Sequence, residues 1–118
     1  MKVIIAGSRD VNNPGAVGRA ILSAPFHITE IVSGNARGVD TLAENYAGRK
    51  GIPTKLFPAD WDKYGKPAGA IRNAQMAEYA DALIAVWDGK SKGTRMMIEM
   101  MNKANKPVVL YLVKENEA

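Results

Sequence analysis

Three short stretches of this chain have the residue types needed to hold an anion: Gly7-Ser8-Arg9-Asp10, Ser33-Gly34-Asn35-Ala36-Arg37-Gly38-Val39-Asp40, and Asp88 to Thr94. Each follows an apolar run that reads as a strand and precedes a run that reads as a helix. Glycines at such a junction leave backbone N–H groups uncovered, and the first turn of a helix carries partial positive charge, so the junction favours a phosphate or carboxylate. In the first stretch Gly7 permits close backbone approach, Ser8 offers a hydroxyl and Arg9 can make a bidentate pair with an anion; the alternative is a plain turn with an exposed arginine. In the second, Ser33, Gly34 and Ala36 would line the anion pocket and Arg37 would face a phosphate. Asp40 would accept from a ribose hydroxyl or cap the following helix. In the third, Gly89-Lys90-Ser91 suggests a phosphate-binding P-loop, but that pattern requires a glycine five residues before Gly89, where Ile84 stands. What survives there is Gly93-Thr94, opening a helix with a hydroxyl in reach.

The elements that must position these stretches are read from apolar patterning. Lys2 to Ala6 is β-branched and lacks polar alternation, as a strand buried on both faces would, and is expected at the sheet centre. Asn12 or Asn13 can cap a helix with Pro14 at its first position, and Val17, Ala20, Ile21 and Leu22 supply its stripe. His27 to Val32 reads as the second strand, Thr41 to Arg49 as a helix closed by Gly51, and Pro53 to Phe57 as an edge strand. Pro58 to Pro67 is polar, aromatic and turn-rich, hence a long surface loop. Ala68 to Ala80 is expected to be helical, Ala82 to Trp87 a second buried strand, Thr94 to Ala104 a methionine-rich helix, and Val108 to Val113 the last strand. The tail from Lys114 to Ala118 is expected to fray. Strand and helix alternate, which predicts an α/β class: a Rossmann-like, doubly wound, mostly parallel five-stranded sheet with helices on both faces. Ligands of such sheets bind at the carboxyl ends of the strands, where the three stretches would converge.

Bulk composition narrows the function classes. With 118 residues and 47% hydrophobic content the chain is read as a single domain, residues 1–118. It has no cysteine and one histidine, His27, read as structural, so neither a disulfide framework nor a cysteine- or histidine-based metal site is expected. The expected environment is a reducing cytoplasm, with no metal and no cofactor. No apolar run reaches the roughly 18 residues of a membrane span. Net charge +4 fits an anionic partner without choosing among nucleotide, nucleic acid and mere solubility. Trp61 and Tyr64, with Lys63 and Lys66, could form a flap that stacks a base, or serve only loop packing. Met76, Met96, Met97, Met100 and Met101 read as core or subunit-interface filler, a helical face suited to a homo-oligomer.

Ser33-Gly34-x-Ala36-Arg37-Gly38-Val39-Asp40 followed by Leu42-Ala43 resembles the signature of the DNA-processing protein A (Smf) Rossmann domain. Arg72-Asn73-x-x-Met76-Ala77, then Ala80-Asp81-Ala82-Leu83-Ile84-Ala85 and Gly93-Thr94, is similar to the Lonely Guy nucleotide phosphoribohydrolases. A chain matching both resembles the SLOG superfamily, specifically its small YspA-like members, many from phages and bacteria. The resemblance implies a Rossmann-like domain that binds a nucleotide or nucleotide derivative across these loops, Asn73 included. In Lonely Guy enzymes a helix-start arginine and a glutamate after a Pro-Gly-Gly-x-Gly-Thr loop promote N-glycosidic cleavage. Arg72 matches the arginine. Met97 stands at the glutamate's position, Glu99 is the nearest carboxylate, Trp87-Asp88-Gly89 replaces Pro-Gly-Gly, and Asp88 could substitute at the strand end. The implied functions are therefore binding of a nucleotide-like small molecule, its hydrolysis with Arg72, Asp88 and Glu99 as polar groups, or, least favoured by the scattered charge, single-stranded DNA binding.

Overall fold

The structure, a computed structural model, describes residues 1–117. Five strands alternate with helices: β1 Lys2–Gly7, α1 Pro14–Ser23, β2 Glu30–Ser33, α2 Val39–Lys50, β3 Thr54–Leu56, α3 Trp61–Tyr64, α4 Ala68–Tyr79, β4 Ala82–Trp87, α5 Lys92–Lys103 and β5 Val108–Leu112. Every strand pair is parallel, in the order β3-β2-β1-β4-β5. β1 is central, as its uninterrupted apolar run predicts.

The period of two along each strand divides the core into two layers. Val3, Ile5, Ile31, Ala82, Ile84 and Val86 pack with Val17, Ala20, Val39, Ala43 and Ala47 of α1 and α2 on one face. Ile4, Val32, Leu83 and Ala85 pack with Met76, Ala77, Met97 and Met101 of α4 and α5 on the other. Buried on both sides, β1 and β4 could carry no polar alternation. Met76, Met97 and Met101 are thus core, while Met96 and Met100 remain partly exposed on α5.

Local signals set the ends of several elements. The Asn13 side chain accepts from the Gly15 N–H at 2.9 Å, with Pro14 in the first turn of α1. Gly51 ends α2 in the left-handed conformation. β3 is exposed along its length, consistent with an edge.

Four expectations are corrected. β2 begins at Glu30 rather than His27, because the preceding residues are tied to the chain start: the Met1 ammonium donates to the His27 carbonyl at 2.7 Å and the Thr29 N–H to the Met1 carbonyl at 2.9 Å. The Pro58 to Pro67 loop contains the single-turn helix α3, capped by Asp60, which accepts from the Lys63 N–H at 3.1 Å. One turn is too short to print an apolar stripe. α5 starts at Lys92, not Thr94, since Ser91 is its cap. The Glu117 end of the tail is tied back: that carboxylate accepts from the Tyr111 hydroxyl at 2.7 Å, from Arg19 at 2.8 Å and from the Lys114 N–H at 3.3 Å, which hold its pKa down at about 2. Ala118 lies outside the described residues. No helix among those described is long and apolar enough to cross a membrane.

At Gly7 the backbone of β4 lies so close to β1 that a Cβ would stand 2.0 Å from the Val86 carbonyl oxygen and 2.7 Å from Val39 Cγ2. No rotamer change relieves a clash with backbone. Gly7→Ala is therefore expected to lower unfolding free energy by about 3 kcal/mol or more in urea titrations. Gly48→Ala, at an open position within α2, should instead stabilise by roughly 0.5–1 kcal/mol. Equal midpoints for Gly7→Ala and the unsubstituted chain would contradict the close approach.

Candidate functional site

From β1 the chain leads to β2 on one side and from β4 to β5 on the other, so strand order reverses between these central strands. A crevice outside their carboxyl ends is the expected ligand position in such a sheet. The loops after β1, β2 and β4 meet there, and Ser8 ties them together. Its N–H donates to the Val86 carbonyl at 3.2 Å, its carbonyl accepts from the Val39 N–H at 3.3 Å, and its hydroxyl oxygen accepts from the Asp88 N–H at 3.1 Å. Ser8 is buried, and its hydroxyl is used in this brace. Gly38 follows the same constraint: at φ +76° a Cβ would lie 2.5 Å from both the Ser8 and the Arg9 carbonyl oxygens.

The second loop is shaped from within. Ser33, fully buried, donates its hydroxyl to Glu44 at 2.7 Å and accepts from the Asn35 N–H at 3.1 Å. Glu44 was not singled out from sequence; its signal was its place one helical turn beyond Asp40. Asp40 does not cap α2. Its carboxylate reaches back to accept from the Ala36 N–H at 3.1 Å, closing the loop, while Gly38 occupies the cap position. Burial pushes the Asp40 carboxyl up to about 6, against the opposing pull of the Ala36 N–H and the Arg72 charge.

Arg72 enters from α4 and joins the parts. Its Nη1 donates to the Gly34 carbonyl and its Nε to Asn73 Oδ1 at 2.9 Å. Asn73 in turn donates to the Gly93 carbonyl at 3.4 Å, so one side-chain relay links the second loop to the start of α5. Gly34 makes this possible, because a Cβ there would sit 2.6 Å from Arg72 Nη1 and 2.9 Å from Asp40 Oδ2. Burial lowers the Arg72 pKa and Asp40 raises it, and from so high an ordinary value the guanidinium stays charged.

Two neighbouring cavities that share walls result. The inner one, about 70 Å³, is lined by Gly7, Asp40, Asn73, Ser91, Gly93 and Thr94 among others; the outer, about 290 Å³, by Gly34, Asn35, Arg37, Pro58, Ala59 and Trp61. Arg9, Ala36 and Arg72 line both. Ser91 accepts from the Thr94 hydroxyl at 3.1 Å and from its N–H at 3.4 Å, so Thr94 is both cavity wall and part of the α5 cap. Arg37 lies exposed at the rim, 3.7 Å from an equally exposed Asp10, a pairing worth about 1 kcal/mol or less.

The two carboxylates named beside Arg72 are placed elsewhere. Asp88 folds onto its own loop, accepting from the Lys90 N–H at 2.8 Å and the Ser91 N–H at 2.9 Å. Partial burial opposes its ionisation, but these bonds and the Ser8 hydroxyl hold its carboxyl below the ordinary value. Glu99 is exposed on the outer side of α5, beside Met96, Met100 and Lys103 in a separate groove, and lines neither cavity. The carboxylate that shares the inner cavity with Arg72 is Asp40. Among the described residues, no three acidic or histidine side chains gather as a metal set.

Because the Asp40 carboxyl titrates near 6 in the folded chain against an ordinary 3.8, the folded state holds this proton longer than the unfolded state does. Its contribution to stability is therefore greatest below about pH 4 and declines as pH rises to 6, by up to about 3 kcal/mol. In paired urea titrations, the unsubstituted chain should lose stability relative to Asp40→Asn between pH 4.5 and 7.5. Parallel pH profiles would contradict this environment for Asp40.

Comparison with known proteins agrees with this architecture. The chain is 34% identical over 120 residues to the Gene 61 protein of Mycobacterium phage D29, covering 93% of this chain and 95% of that one. Its fold matches the X-ray structure of DNA processing protein A from Streptococcus pneumoniae with a TM-score of 0.77 at 22% identity. That match covers 97% of this chain but 51% of the other, so this chain spans about half the length of that protein. A family description also matches residues 1–64, a stretch that contains the first two loops and α3. On this match and the phage relative, the chain belongs to the YspA, cpYpsA-related SLOG family.

Proposed function

We propose that this protein binds a nucleotide or nucleotide-derived ligand at the carboxyl ends of its strands. The phosphate would lie in the inner cavity between Arg72, Arg9 and the first turn of α5, with the ribose beside Asp40. The observation that carries this reading is Arg72. Its guanidinium is fixed by bonds to Gly34 and Asn73, lines both cavities, and belongs to neither close ion pair among the described residues. A guanidinium oriented in this way inside a cleft receives phosphate without first paying the entropy of being ordered. Asp40 supplies an acceptor of the kind a ribose hydroxyl needs. Family membership supports a nucleotide-related ligand, and the likeness to a DNA-processing protein makes a single-stranded oligonucleotide the competing one.

A second reading, N-glycosidic cleavage, has one observation in its favour: a buried carboxyl whose pKa is lifted to about 6 shares the inner cavity with Arg72. Raised carboxyl pKa values suit general acid work. Incubation with AMP and measurement of free adenine separates turnover from binding.

Calorimetry with AMP should show binding to the unsubstituted chain that falls at least tenfold in Arg72→Ala, the loss of a charge-assisted hydrogen bond of roughly 1.5–3 kcal/mol. Arg37→Ala, at the exposed rim, should lose only severalfold. Thermal unfolding of each variant controls for folding. Unchanged affinity in Arg72→Ala, or retention of a short oligonucleotide alone, would overturn the reading.

A further inference from the structure

We infer that the base of the bound nucleotide stacks on Trp61, so that the site prefers a nucleoside phosphate to a sugar phosphate. This rests on the nucleotide reading above and extends it to the outer cavity.

Trp61 is 52% exposed. It is nevertheless held in place from several directions. The Trp61 carbonyl accepts from the Gly65 N–H at 2.9 Å, Asp60 caps the turn, and the tip of the ring rests against the start of α4, where a Cβ on Gly69 would lie 3.5 Å from Trp61 Cη2. The indole is thus an exposed plate on a braced turn.

The other aromatic groups near the site are already engaged. The Lys63 ammonium lies 5.0 Å above the Tyr64 ring, and Tyr64 and Lys63 line a different groove from Trp61. Trp87 donates its indole N–H to the Ser91 carbonyl at 3.0 Å and has the Arg95 guanidinium 5.9 Å from its ring. Trp61 makes neither kind of pairing among the described residues. The flap suggested by sequence therefore divides: Trp61 lines the outer cavity with Arg9, Arg37 and Arg72, and Tyr64 lines a neighbouring groove that reaches only Arg72 of the three.

The chemistry of the outer cavity selects its occupant. Arg9, Arg37 and Arg72 line it with Trp61, and none of its lining residues is acidic. Cations around a flat apolar face suit a group that is both planar and linked to an anion, as a nucleobase is. A sugar phosphate alone would leave the indole uncovered. At about 290 Å³ the cavity is at the lower end of the roughly 300–1,000 Å³ typical of small-molecule sites, a size suited to one base rather than a run of them. Arg9 and Arg72 line both cavities, so a phosphate held in the inner one and a base in the outer one would share these walls.

The test compares calorimetric affinities for AMP, GMP and ribose 5-phosphate in the unsubstituted chain, Trp61→Ala and Trp61→Phe. Nucleoside monophosphates should bind at least fivefold more tightly than ribose 5-phosphate. Trp61→Ala should remove that advantage, a loss of about five- to hundredfold, without altering ribose 5-phosphate binding, and Trp61→Phe should keep most of it. Quenching of tryptophan fluorescence by AMP should likewise disappear in Trp61→Phe. Equal affinities for AMP, GMP and ribose 5-phosphate, unchanged by Trp61→Ala, would overturn the stacking inference while leaving the phosphate site intact. No binding of any of the three to the unsubstituted chain would overturn the nucleotide reading as well.

Discussion

The close approach of β1 and β4 at Gly7 governs the rest of the molecule. With backbone against backbone at that point, the next residue, Ser8, is near enough to donate to Val86 and to accept from both Val39 and Asp88. Three loops that are distant in sequence are thereby joined by hydrogen bonds from one buried residue. A side chain at Gly7 would separate the strands, and a side chain at Gly38 would strike the Ser8 and Arg9 carbonyls. Both glycines are needed for space, and the crevice exists because of it.

Electrostatics in the crevice follows from a small number of buried groups. Arg72 is oriented by Gly34 and Asn73, and Asp40 by the Ala36 N–H; each lies close enough to alter the other's ionisation. Desolvation drives both groups toward neutrality, and their mutual attraction opposes it. The carboxyl, with an ordinary pKa not far below neutrality, is the member that responds, while the guanidinium keeps its charge. The crevice therefore holds a permanent cation beside an acid titrating near 6, whereas Asp88 and Glu99 are occupied or directed elsewhere.

Much of the fold could be read from residue order. The unbroken apolar runs at Lys2 to Ala6 and Ala82 to Trp87 identify strands buried on both faces, and Asn13-Pro14 and Gly51 mark helix ends through local backbone chemistry. These signals lie within a few neighbouring residues, so sequence suffices. Failures arose where distant partners intervene. The tail is ordered by Arg19 and Tyr111 and β2 is shortened by Met1, whereas α5 opens on a local cap, Ser91 accepting from the Thr94 N–H.

The candidate site divides along the same line. Sequence by itself determined that glycine-bearing loops with Arg9, Arg37, Asp40 and Thr94 follow parallel strands, and hence that they share one edge of the sheet, because strand polarity and right-handed crossover leave no other arrangement. Only the tertiary structure decided the tasks of the individual groups. It turned the Ser8 and Ser33 hydroxyls into braces, brought Asp40 rather than Asp88 or Glu99 beside Arg72, and set Trp61 apart from Tyr64 at the mouth of the crevice. The reason is that side-chain partners are chosen by distances of a few ångströms between segments tens of residues apart, which no local pattern records.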